Sequence, residues 1–177
     1  MTKETIISDI DAVQAYLTDL KSLIAGSATT TPRNPTTLAD MFEPHIGVKE
    51  YSGIVADIQK WYYGSLVKAS WCATSVSYFW NKLMGNKALH AENVKILLDQ
   101  CRSAGMQKIT DESAMERGDI VFFLWSGPSP MTTTSSKHVA IYTGTPSRYI
   151  GGNQDDSICI KTYNTDNIYA VYRPNYK

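Results

Sequence analysis

No residue class is in excess in this chain, and its scarcities exclude several functions at once. Lysine plus arginine and aspartate plus glutamate stand at 17 each in 177 residues, so no bulk charge draws the chain to nucleic acid or to an anionic membrane surface. Cysteine occurs only at positions 72, 101 and 159, an odd count at irregular spacing that builds no disulfide framework and predicts reduced thiols. There is no Cys-x-x-Cys pair, and His45 and His90 have no partner at ligand spacing, so neither a zinc site nor any other metal or cofactor is expected. No apolar run approaches the roughly 20 residues that cross a bilayer. Met1 to Thr5 lead into an amphipathic stripe rather than the apolar core of a signal peptide, so no export signal is expected.

What is present divides the chain. Ile6, Ile10, Val13, Leu17, Leu20 and Ile24 recur at alternating spacings of four and three, the stripe of an amphipathic helix. Such a stripe packs on a neighbouring core or, at strict a/d spacing over about three heptads, mediates self-association. Gly26 ends it, and Ser27 to Thr37 is rich in Ser, Thr and Pro, the composition of an exposed linker. The domain reading is a helix over 1–25, a linker over 26–40 and a catalytic region over 41–177, its lead-in starting at Leu38. The length suits one well-formed core with an extension.

Within that region, Val48 to Tyr63 carries Ile54, Ile58 and Trp61 at helical spacing. A helix opening at Cys72 has Ala73, Val76, Trp80 and Leu83 as its buried stripe and Gly85 as its stop. Ala91 to Ala104 forms another helix, ended by Gly105. Strands are expected near 119–125, 138–143, 148–152, 157–163 and 168–173. Helices first and antiparallel strands after is an α+β pattern.

Three residues carry the chemistry. A thiol near neutral pH needs a base within reach and a field that favours the thiolate. Cys72 follows Ser70, a good N-cap, so it falls in a first helical turn whose free N–H groups and dipole favour an anion and can serve as an oxyanion hole. His138 opens the β-branched run to Tyr142 that Gly144 closes, where it projects at a sheet edge. Asn153 ends the run from Tyr149 through Gly151 and Gly152, where its amide can fix the histidine tautomer. Cys101, on a helix face with Val94, Leu97 and Ala104, and Cys159, alternating within a short strand, read as structural. The loop from Ser126 to Lys137 is polar and adjoins the site if His138 is catalytic. Trp71, Trp125 and Tyr142 are candidates to line a groove.

Taken in order, Trp71-Cys72-Ala73, the run Gly118 to Phe123, the run His138 to Gly144, the run Gly151 to Ile158 and the closing Val171 to Pro174 resemble the CHAP family. These are cysteine, histidine-dependent amidohydrolases and peptidases that cut peptidoglycan, related to the NlpC-type hydrolases. The likeness runs from about Pro44 to Lys177, and Ile46 to Glu50 looks like the lead-in of endolysin-type members.

The resemblance implies a papain-like α+β fold, with N-terminal helices packed on an antiparallel sheet of about five strands. It also implies Cys72 as nucleophile, His138 as base and Asn153 as orienting residue. Many members have an acid two positions before the asparagine, where this chain has Gly151, so Gln154 and Asp155 stand as alternatives for the third role. Trp71, Tyr51 and Gln154 are the candidates for substrate or oxyanion contact. The Asp-rich calcium loop of some members is not visible, and Asp9 and Asp11 fall on a helical stretch.

The implied function is that of an endolysin-like peptidoglycan hydrolase, either an N-acetylmuramoyl-L-alanine amidase or an endopeptidase. It would be made in the bacterial cytoplasm and reach the wall by holin-type or other release. The alternatives are an antibacterial effector with the same chemistry, or a non-catalytic wall-binding or virion module.

Overall fold

The computed structural model describes residues 36–126 and 129–176. The amphipathic stripe over 1–25, its self-association and all but the end of the linker lie outside them. Among the described residues four helices, α1 (Leu38–Phe42), α2 (Gly53–Tyr63), α3 (Cys72–Met84) and α4 (Val94–Ser103), precede strand β1 (Gln107–Ile109) and then β2 (Ile120–Ser126), β3 (Ser136–Tyr142), β4 (Arg148–Gln154), β5 (Ser157–Thr162) and β6 (Ile168–Arg173). The strands form one antiparallel sheet in the order β1-β6-β2-β3-β4-β5. This is the expected α+β arrangement with one more strand, the three-residue β1, too short to show alternation. Leu38, Ala39 and Phe42 of α1 are fully buried, so residues 38–40 belong to the folded unit and not to the linker.

Both faces of the sheet are covered, which explains the unbroken apolar runs of β2 and β3. Ile120, Phe122, Val139, Ile141, Ile150, Ala170 and Tyr172 meet the helices, while Val121, Phe123, Ala140, Tyr142, Tyr149 and Val171 form a second cluster opposite. The centre of the helical layer is α3. Every residue from Cys72 to Trp80 is buried, so the first nine residues are enclosed all round where a stripe was expected, while in the last turn Lys82 is exposed and Leu83 only half-buried. Its polar residues are satisfied internally: Ser75 Oγ donates to the Cys72 carbonyl (2.7 Å), and Ser77 Oγ donates to the Ala73 carbonyl (3.0 Å) while accepting from the Ala91 amide (2.9 Å).

The buried carboxylate of Asp119 pins the start of β2 to the end of β6. Arg173 donates to both its oxygens at 2.9 Å, and the Glu116 amide adds a third bond at 2.8 Å, the bidentate geometry that makes a buried charge tolerable.

The contact that seats α3 on the sheet is closer than side chains allow. A Cβ placed on Gly152 would stand 2.4 Å from the Trp71 ring and 2.6 Å from Ser75 Oγ, and Trp71 has no solvent exposure. Gly152→Ala is therefore expected to force helix and sheet apart and to cost about 2–4 kcal/mol, read as a lower urea midpoint with an unchanged slope. An unchanged midpoint would show that the contact is not required.

Candidate active site

The start of α3 differs from the sequence expectation in one detail. Its N-cap is Trp71 and no side chain caps it, so Ser70 does not fill that role. Cys72 is still the first helical residue. The first i→i−4 bond of the helix runs from the Ser75 amide to the Trp71 carbonyl (2.9 Å), so the amides of Cys72, Ala73 and Thr74 precede it and point out of the helix start.

Cys72, His138, Asn153 and Gln154 line one cleft of about 630 Å³, together with Ser70, Trp125, Lys137, Asp155, Lys161 and Tyr163. The backbone amides of Val139, Ala73 and Cys72, with the charge of Lys137, favour the thiolate, but burial outweighs them and raises the Cys72 thiol above its ordinary value. Burial likewise lowers His138, to about 4; the Gln154 hydrogen bond works the other way, and the Lys161 charge lowers it further. Both directions favour thiol and neutral imidazole at rest. A preformed thiolate–imidazolium pair is thus disfavoured by desolvation.

The group bonded to the imidazole is Gln154, whose Oε1 lies 3.3 Å from His138 Nε2. The surroundings fix the polarity of that bond. Gln154 Nε2 donates to the carbonyls of Cys159 (2.5 Å) and Gly151 (3.4 Å), and Tyr163 donates its hydroxyl proton to Oε1 (2.8 Å). An oxygen facing His138 accepts, so Nε2 carries the ring proton and Nδ1 is the free base. Trp125 stacks on the imidazole at 5.7 Å and 18°, and Tyr163 meets it edge-on at 5.8 Å, so the ring is held by aromatic packing as well.

A backbone irregularity explains why Gln154 and not Asn153 holds this place. Gly151 pairs with Cys159 but Gln154 pairs with Ser157, so β4 contains one residue more than β5 between these points. Asn153 takes a left-handed φ of 59° there. A regular pleat from Gly151 would turn Asn153 to the His138 face; the bulge transfers that position to Gln154. Asn153 remains at the cleft wall. Asp155, the other alternative, sits with Asp156 in a two-residue turn at φ 53° and pairs with Lys161 at 2.5 Å.

The remaining candidates divide by burial. Trp71 is inaccessible to any substrate and serves as the packing contact of α3. Tyr142 belongs to the cluster on the far sheet face. Trp125 is 43% exposed and does line the cleft. Tyr51 is exposed and is not part of that wall. Thr133, Ser135 and Ser136 bring the polar loop to the cleft rim. Tyr163 and Lys137 were not foreseen, although Cys159, Lys161 and Tyr163 follow the period-2 spacing of one strand face. Among the described residues no three His, Cys, Asp or Glu side chains group as a metal site, and no helix is long and apolar enough to cross a membrane.

No protein-family model and no curated protein sequence matches the chain. Solved structures do. NlpC1 from Trichomonas vaginalis superposes with a TM-score of 0.50 at 16% identity, covering 79% of this chain and 43% of that one. The fold is that of the NlpC/P60 proteins. NlpC2 from the same organism gives 0.48 at 16% identity, covering 77% and 45% of the two chains. RipD from Mycobacterium tuberculosis, described as a non-catalytic NlpC/p60 domain protein adapted to peptidoglycan binding, gives 0.46 at 14% identity, covering 78% and 98%. The chain thus spans less than half the length of the two Trichomonas proteins.

Burial of His138 makes stability depend on pH. The unfolded imidazole titrates near 6.5 and the folded one near 4, so between these values the unfolded chain binds more protons and stability falls as pH falls. The loss approaches about 1.4 kcal/mol per pH unit, roughly 3 kcal/mol in all. Urea unfolding from pH 7 to 4 is expected to show this extra acid loss in the wild type relative to His138→Asn; parallel curves would contradict it.

Proposed function

We propose that this protein is a cysteine-dependent hydrolase of an amide bond in peptidoglycan, of the CHAP and endolysin kind. The observation that carries the reading is the polarised chain Tyr163, Gln154, His138 beside Cys72: it leaves the imidazole with a free Nδ1 in the same cleft as a thiol at a helix start. A binding surface has no use for a fixed histidine tautomer.

In this mechanism Cys72 gives its proton to His138 Nδ1 as the sulfur attacks the amide carbonyl. Because thiol and imidazole are both neutral at rest, charge is created only as the bond forms. The helix-start amides then receive the oxyanion, in a site where burial makes such dipoles strong. His138 protonates the leaving amine and next activates the water that hydrolyses the thioester. Gln154 acts through His138 as a positioning residue. The bond cut is that of an N-acetylmuramoyl-L-alanine amidase or of a peptidoglycan endopeptidase. The protein would act on the wall after holin-type or other release from the cytoplasm.

Incubation of purified peptidoglycan with wild type and with Cys72→Ala, followed by mass spectrometry, tests the reading. Fragments with new amine and carboxyl termini are expected from the wild type, and a rate lower by about 10³-fold or more from Cys72→Ala or His138→Ala. Gln154→Ala is expected to lose about tenfold or more through the wrong tautomer, and Asn153→Ala much less. Absence of fragments from several wall chemotypes would sink the hydrolase and leave the same fold without turnover.

A further inference from the structure

Two lysines line the cleft, and they are not equivalent. Lys161 is paired with Asp155 at 2.5 Å. Lys137 donates instead to two backbone carbonyls of the rim loop, those of Thr133 (2.5 Å) and Ser135 (2.9 Å). Among the described residues no carboxylate lies within ion-pair distance of it. An ammonium has three donors and no acceptor, so two are spent in fixing its position and one is left for the cleft it lines with Cys72 and His138.

The loop that holds it is itself tied down. Thr132 N donates to Ser135 Oγ at 2.9 Å, Ser135 is buried, and the buried Met131 donates its amide to the Tyr169 hydroxyl at 3.2 Å. Ser135 and Lys137 therefore present a preset donor, not a mobile surface chain. Partial burial lowers the lysine's affinity for its proton, a cost that an anion arriving in the cleft would offset.

We propose that Lys137 is a specificity-determining residue that binds a substrate carboxylate beside the scissile amide. The proposal rests on the reading of this cleft as the peptidoglycan site. In stem peptides the matching group is the α-carboxylate of a γ-linked D-glutamyl residue, which lies within a few bonds of the amides on either side. Amidation of that carboxylate to isoglutamine removes the charge and keeps the shape, so the two stem forms make a matched pair.

Binding, measured without turnover, separates this proposal from the hydrolase reading. The probes are L-alanyl-γ-D-glutamyl-L-lysine and its isoglutamine counterpart, titrated by calorimetry into the full chain carrying Cys72→Ala. The acid is expected to bind about tenfold more tightly than the amide, the effect of one charge-assisted hydrogen bond, and the preference is expected to shrink at high salt. Adding Lys137→Met should reduce it to less than twofold, and Lys137→Arg should keep most of it. Equal affinity for the two probes, no binding of either, or a preference that survives Lys137→Met would overturn the proposal. Cleavage of peptidoglycan by the wild type is a separate result and is unaffected by any of these.

Discussion

The close approach of the Trp71 ring to Gly152 is the constraint on which the site depends. It sets the start of α3 against β4 at a separation that admits no Cβ, and thereby places Cys72 where the Val139 amide faces its sulfur. Glycine at 152 is needed for space rather than for an unusual backbone angle. The first nine residues of α3, all buried, are fixed in place: Ser75 and Ser77 return their hydroxyls to the helix's own carbonyls, and Ser77 also receives the Ala91 amide.

The second constraint is a single extra residue. The bulge at Asn153 moves Gln154 onto the face of β4 that looks at His138, and the neighbours of Gln154 decide its orientation. Two carbonyls on one side demand its amide protons, and one hydroxyl and one imidazole on the other share its oxygen. Reversing the amide would set N–H against N–H and carbonyl against carbonyl. A hydrogen bond of this kind contributes only about 1 kcal/mol net, yet leaving such buried groups unpaired costs more, so the network selects one tautomer.

The fold was largely legible because burial wrote itself into period and composition. The runs at Ile120 to Trp125 and His138 to Tyr142 read as strands, Gly85 and Gly105 marked helix ends, and Cys72 stood at a helix start. Three features were not legible for physical reasons. The strand Gln107–Ile109 is too short to alternate. Trp71 could be read as a groove aromatic because sequence does not tell an inward ring from an outward one. Asn153 and Gln154 exchange places through a left-handed residue, and a pattern of alternation assumes that none intervenes. Resemblance pointed to the papain-like α+β architecture, and similarity to the NlpC/P60 fold is what the solved structures share with this chain.

Desolvation ties these parts to chemistry. Burial favours the neutral forms of Cys72 and His138, so in the proposed hydrolase catalytic power would come from dipoles already in place when charge develops, chiefly the helix-start amides and the oriented imidazole. The tautomer of His138 is therefore the point on which the account turns, and the ¹⁵N shifts of its ring nitrogens in the full chain at pH 7 measure it directly. A protonated Nε2 with an unprotonated Nδ1 is the predicted result. A proton on Nδ1, or an imidazolium with both nitrogens protonated, would contradict the account.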